Sequence, residues 1–531
     1  MVEIALIIGI YSLLIFGLGL SGRLNDPMTY LFSMIFIIFI VYFLVKGTSK
    51  IFKNKYLWEF KKDKIGLFLV VILISSCLIN LIGALGPELN FDSLWYHLTI
   101  PKIFLKENKI FFIKGGLFYY SLMPKLTEML YLVSLKLSPL GILAKIIHFV
   151  FGVFCSAATF KLARRYLNVR HSLLAVVLFY TTLLVGWEST AANVDLARTF
   201  FEILSLFMFL KWAQGIENKK ENKHSIDLIE SAVLLGLGIS TKLIAVVTLP
   251  ILLILVYKIS KSFRQVFVFL FFSLLIVSPW FIFSFFNSGN PFYPVFSGIL
   301  DSSHKFVFNP IKYIIDFWVL LYKPQDPLSP VFLIFLPVII WKIMKIKKRE
   351  FGILGWYCGL ALLFWLFTPR TGGSRFILPY LPGICLFIVW LFSLKNDFYF
   401  KALMILIIIS AIINSGYRLM ANKKYIPILL GKESREVFLI NNLNFKEGDF
   451  FDINGEIKRI TKENPVIIFG SHNLFYVDFN FGHASYVWQA ELYNYAVTQN
   501  VKLPQEFMIN SRLIYSNSLT DTNLYLIGNN K

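Results

Sequence analysis

Apolar runs of about twenty residues recur from the N-terminus to about Met420, and each is long enough for a helix to cross a bilayer. The chain has 531 residues, 57% of them hydrophobic. A soluble globule could not hide that much apolar surface, so the pattern implies a polytopic membrane protein. The first run begins at Val2 and passes signal-peptide length without a small-residue cleavage site, which reads as a retained span. Spans are expected at roughly 2–22, 27–45, 65–85, 139–160, 172–187, 196–212, 227–241, 243–257, 264–286, 329–345, 351–368, 376–394 and 400–420. The expected fold is therefore a mainly α, polytopic transmembrane bundle of about 13 spans.

The net charge of +21 could suggest nucleic acid in a soluble chain, but here the basic residues cluster at the ends of apolar runs. Such clusters follow the positive-inside rule and face anionic membrane lipids, so no nucleic-acid partner is expected. The clusters Lys46–Lys64, Lys161–Arg170, Lys211–Lys223, Lys258–Arg264, Lys342–Arg349 and Lys395–Lys401 can all be cytoplasmic if the spans alternate. The N-terminus is then inside, in a plasma (inner) membrane, and the C-terminal segment is extracytoplasmic. This arrangement requires Ser121–Leu137 not to cross, and Pro124, Lys125, Glu128 and Lys136 suit an amphipathic helix lying at the interface. The four cysteines all lie in apolar runs with no paired spacing, and the histidines are scattered, so no disulfide framework or metal motif is indicated.

Composition divides the chain into a hairpin at 1–45, a membrane core at 46–420 with an outer loop at 86–138, and a mixed polar segment at 421–531. In that last part Glu433–Leu443 and part of Gly448–Ile460 read as helix. Pro465–Gly470, Leu513–Tyr515 and Leu524–Ile527 read as strands, so a small α/β domain is expected on the outer face.

Once the spans are oriented, polar side chains gather on that outer side: Asp92 and His97, Glu188, Asn193 and Asp195, Lys242, Asn290, Arg370 and Arg375. Polar groups at membrane level are costly and usually face a cavity. Asn90 or Asp92 could cap a helix, with Tyr96 one turn beyond Asp92, or Asp92 could be a general base that takes the proton of an acceptor hydroxyl. Glu188 and Asp195 could be solvated loop charges or a cap. They could equally be a second acidic site that positions an acceptor or holds magnesium or manganese, though nothing in the sequence requires a metal. Arg375, Arg370, Lys242 and Lys102 could anchor the chain at the interface or bind an anionic leaving group through fixed cations. His97 could touch a phosphate or an acceptor, or be structural.

The pattern resembles the GT-C superfamily of integral-membrane glycosyltransferases, which includes polyprenyl-phosphate-dependent mannosyltransferases and lipid A aminoarabinose transferases. The resemblance rests on Asp92 with Tyr96-His97 and Pro101-Lys102, and on Ala192-Asn193-Val194-Asp195. It extends to Gly238–Lys242, Gly289-Asn290-Pro291-Phe292-Tyr293-Pro294 and Ser374-Arg375-Phe376-Ile377-Leu378-Pro379. It implies a sugar donor carried on a polyprenyl phosphate and a lipid, glycan or protein hydroxyl as acceptor outside the cytoplasm. It also implies a single inverting displacement with Asp92 as base and Arg375 near the lipid phosphate. Many relatives have an Asp-Glu pair where this chain has Asp92-Ser93, and the hairpin at 1–45 looks additional to the usual core. The competing readings are a lipid-linked-glycan flippase or other transporter, a glycan polymerase or ligase, and a noncatalytic assembly protein.

Overall fold

The computed structural model describes residues 1–52, 63–217, 224–298, 311, 315, 329–345, 348–368, 370–395, 398–485, 493–508 and 511–527. The first half of the bundle comprises α1 (Val2–Leu20), α2 (Pro27–Phe52), α3 (Lys64–Leu85), α4 (Thr99–Lys106), α5 (Leu126–Leu137), α6 (Ile142–Ala163), α7 (Val169–Tyr180) and α8 (Leu183–Glu188). The second comprises α9 (Asp195–Glu217), α10 (His224–Thr241), α11 (Thr248–Ser260), α12 (Phe263–Ser288), α13 (Pro330–Lys345), α14 (Lys348–Leu366), α15 (Leu381–Ser393) and α16 (Phe398–Asn422). The chain is a multi-pass integral membrane protein.

Among the described residues, eight helices are long and apolar enough to cross a membrane, where hydropathy along the sequence suggests thirteen. The difference has local causes. The expected span at 172–187 is two helices, because the Thr182 hydroxyl accepts from the Val185 N–H at 3.3 Å and starts α8 afresh. Helix α9 is buried along nearly its whole length, Arg198 and Glu202 included, so it is the core of the bundle and not a lipid-facing rod. Helix α13 has only 16 residues, and α14 is kinked at Gly352, where φ is 59°.

The segment expected to lie at the interface is also different. Helix α5 forms, but Leu126 through Leu135 are all buried, so it sits inside the protein with no solvent face. Its charges can be internal because they satisfy one another. His97 Nδ1 lies 2.9 Å from Glu128 Oε1, and Lys125 Nζ lies 3.7 Å from the same oxygen.

The C-terminal part is a mixed five-stranded sheet with β1 (Val466–Phe469), β2 (Phe481–His483), β3 (Tyr495–Gln499), β4 (Ser511–Asn517) and β5 (Thr522–Ile527), in the order β2-β1-β3-β5-β4. Strand β1 pairs in parallel with β2 and β3, with Val466 opposite Phe481 and Tyr495. Strands β3–β5 and β5–β4 are antiparallel, and the second pair is bulged between Leu513 and Tyr515. Three of these strands are expected from sequence; β2 and β3 are additional.

This domain grips the outer loop. Lys102 Nζ donates to the carbonyls of Phe475 and Val477 at 2.7 and 2.6 Å, and the Tyr476 hydroxyl donates to the Glu88 carbonyl at 2.8 Å. Burial pushes the Lys102 ammonium down to about 8. Lys102→Met leaves two carbonyls without their donor, at a cost of about 1–3 kcal/mol. Limited proteolysis should then cut residues 421–531 faster than in the wild type. Unchanged protection would show that the latch contributes nothing.

Candidate active site

Four elements end at one place at one end of the bundle. The first is the turn after α3: Asn90 Oδ1 accepts from the Ser93 N–H at 3.3 Å, and Ser93–His97 then winds as a short π-helix. Such wide turns are frequent at functional sites. Asp92 precedes it and makes no capping bond, so the helix-cap reading of this residue does not hold. The second element is the 3₁₀ segment Arg370–Tyr380 leading into α15, which carries Arg375. The third is the turn between α8 and α9, with Glu188 at one end and Asp195 at the other. The fourth is Lys242, between α10 and a 3₁₀ turn.

Two ion pairs form where these elements meet. Arg375 Nη1 donates to Asp92 Oδ2 at 2.6 Å, each side chain being 16% exposed. Lys242 Nζ donates to both oxygens of Asp195 at 2.9 and 2.7 Å. Arg375 links the two pairs, because Asp92, Asp195 and Glu188 all attract it, and its guanidinium carbon lies 5.6 Å from the centre of the Trp187 ring. Burial pushes the Asp92 carboxyl up, but the charge and hydrogen bond of Arg375 outweigh that and hold it below the usual carboxylate range. Glu188 goes the other way: burial, then the neighbouring Asp195 carboxylate, raise it well above that range. The site therefore places an ionised carboxylate beside a carboxyl that favours its proton, the division that acid–base chemistry uses.

Residues with no assigned role on sequence grounds hold the turn in place. Asn193 Nδ2 donates to both Glu188 oxygens at 3.3 and 3.2 Å, and Ser93 Oγ donates to Asn193 Oδ1 at 3.1 Å. Ser93 thus ties the Asp92 turn to the acidic turn. Glu88 adds a second tie, accepting from the Ala192 N–H at 2.6 Å and from Leu89 and Asn90 at 2.8 Å each. His148 on α6 completes the frame. Its Nδ1 donates to the carbonyls of Glu188 and Ala191, and its Nε2 accepts from the Leu196 N–H at 3.0 Å. An ionisable side chain in the middle of an apolar run was the available signal for His148.

The other residues singled out from sequence have partners of their own, Tyr96 and His97 still within electrostatic reach of Asp92. Tyr96 is buried, its ring stacked on Tyr120 at 3.9 Å. His97 turns toward Glu128, and burial lowers its pKa despite that partner. Lys102 is not at the cation cluster, since the C-terminal domain holds its ammonium. Asn290 braces its own turn, its side chain donating to the Val295 carbonyl at 2.6 Å and accepting from the Phe292 N–H. The side chain of Arg370 lies outside the described residues. Glu188 and Asp195 are both engaged by neighbouring side chains. Lys242 takes both oxygens of one and Asn193 those of the other, and among the described residues no three His, Cys, Asp or Glu side chains group as metal ligands.

The architecture is shared with solved enzymes. ArnT from Cupriavidus metallidurans bound to undecaprenyl phosphate superposes with a TM-score of 0.58 at 11% identity, covering 86% of this chain and 97% of that one. Its apo state gives 0.54 at 12% identity over the same shares. The Archaeoglobus fulgidus oligosaccharyltransferase in complex with zinc and sulfate gives 0.48 at 13%, covering 81% of this chain and 68% of that one. The fold is thus similar to that of ArnT. Residues 138–283, which include Glu188, Asp195 and Lys242, match the family of dolichyl-phosphate-mannose-protein mannosyltransferases. No curated protein matches the sequence.

Proposed function

We propose that this enzyme moves a sugar from a polyprenyl-phosphate donor to a hydroxyl of a lipid, glycan or protein on the extracytoplasmic face, inverting the anomeric centre. The observation that carries this reading is the Asp92–Arg375 contact beside the Asp195–Lys242 pair. This cluster could supply a base and phosphate-binding cations together at the end of apolar helices. The undecaprenyl phosphate bound to the similarly folded ArnT supports the donor class. The basic clusters support a cytoplasmic N-terminus, with residues 421–531 outside and residues 46–420 as the catalytic core.

In the reaction the acceptor oxygen attacks the anomeric carbon as the bond from that carbon to the phosphate oxygen breaks. Polyprenyl phosphate leaves with the bonding electrons, and the acceptor proton passes to the Asp92 carboxylate. Arg375 and Lys242 stabilise the charge that grows on the leaving phosphate. Glu188, keeping its proton, donates a hydrogen bond toward the sugars. Donor binding also readies the base. As the phosphate draws the guanidinium toward itself, Asp92 loses the partner that holds its pKa down, and burial then raises its proton affinity.

The test is to purify the protein, identify its co-bound lipid by mass, and supply sugar-loaded polyprenyl phosphate with a membrane extract as acceptor. Polyprenyl phosphate should appear in step with glycosylated product. Donor that binds yet is neither consumed nor transferred would remove this reading and leave a transporter.

A further inference from the structure

A second buried cation lies away from the catalytic pocket. Arg418 on α16 falls within the membrane-spanning stretch Phe398–Leu429 and is 9% exposed. A cation at such a place is costly unless a charge of opposite sign accompanies it. Its partners are neutral: Nη2 donates to Thr190 Oγ1 and to Asn422 Oδ1, each at 3.1 Å, and among the described residues it forms no ion pair. Lys424 adds further positive charge nearby.

Arg418 lines a small cavity between α3, the α7–α8 junction and α16, and the lining contains no carboxylate. Arg418 Nε, buried on that lining, has no hydrogen-bond partner, while the Tyr180 hydroxyl and the Asn80 amide beside it interact with each other. An unsatisfied N–H on a buried guanidinium is rare, and one that borders a cavity marks a missing occupant. A water would satisfy hydrogen bonds but leave the charge uncompensated. The guanidinium supplies the donor, and the cavity's other polar lining, from Ser76, Thr181 and Ser415 among others, is neutral. The space suits one small ion better than a lipid phosphate.

We propose that this cavity binds a small monovalent anion, a halide, as the counter-charge of Arg418. The bound ion steadies the catalytic turn from behind. Arg418 bonds Thr190, and its side chain packs against Gly186, where a Cβ would come within 3.0 Å of it. These two positions flank Glu188. The anion thereby fixes the backbone from which Glu188 and Asp195 project.

The experiment uses the full chain in detergent, exchanged into sodium gluconate and titrated with sodium chloride or bromide at constant ionic strength. Wild-type protein should show a saturable rise in Tm of about 2–4 °C, and Arg418→Gln should show none, whatever its starting Tm. Crystals grown in bromide should give an anomalous peak beside Arg418, a readout that does not depend on the variant folding. Melting indifferent to halide, or a water or lipid phosphate beside Arg418 in bromide-grown crystals, would overturn the proposal.

Discussion

Asp92→Asn is expected to lower kcat/KM by about 10²–10⁴-fold while the protein still inserts and folds. The substitution keeps the size of the side chain and an oxygen that can accept from Arg375, so the 2.6 Å contact has a neutral replacement. What disappears is the capacity to take the acceptor proton. Removing one partner of a buried ion pair usually destabilises strongly, because it leaves an uncompensated charge. Here each side chain keeps some exposure and Arg375 also feels Asp195 and Glu188, so the charge left behind is not uncompensated and little stability should be lost. The measurements are steady-state sugar transfer and thermal melting on the same preparation. A variant that transfers sugar at the wild-type rate would mean another group takes the proton. A variant that melts far below the wild type would make the rate loss uninformative, and Asp92→Glu, which keeps the charge, would then have to restore activity.

Composition and hydropathy carried the membrane class, because a twenty-residue apolar run has few other uses. They also brought Asp92, Asp195, Lys242 and Arg375 to one side, since charges near span ends are sorted by topology. Partnership was beyond their reach. Asp92 and Arg375 are 283 positions apart, and no local spacing reveals that a carboxylate and a guanidinium so distant will touch. Lys102 shows the same limit from the other direction: it reads as one more cation near a membrane, yet its partners are two carbonyls more than 370 residues away. His148 is marked in the sequence only as an ionisable side chain inside an apolar run, and its task and that of Glu88, binding backbone groups of a turn, leave no further mark there. Helix α9 passed as an ordinary span, although Arg198 bonded to Glu202 at 2.5 Å four residues later could have shown that it faces protein and not lipid. Strands β2 and β3 are short and lack the alternation that identifies a strand by itself.

Arg375→Gln should cost about 10²–10³-fold in kcat/KM, and its larger value is in what it does to the pH profile. In free wild-type enzyme Asp92 titrates below the ordinary carboxylate value of about 3.9, because Arg375 overcomes the effect of burial. The acid limb of kcat/KM, which reports the free enzyme, therefore lies below that value, and the base is ionised throughout the neutral range. Glutamine removes the opposing charge and leaves burial as the largest influence on the carboxyl. The pKa of Asp92 must then rise, and the acid limb should move toward neutral pH. A smaller role for Arg375, as a simple phosphate anchor, predicts the same loss of rate with no movement of the limb. The stability of the fold gives an independent check of sign. A depressed carboxyl stabilises the folded state above its unfolded pKa and ceases to do so as pH falls through the folded one. Acid should thus erode wild-type stability more steeply than that of Arg375→Gln. Parallel acid-denaturation curves together with an unmoved limb would show that Arg375 does not hold Asp92 ionised, and the exchange of that guanidinium between base and donor phosphate would have to be abandoned.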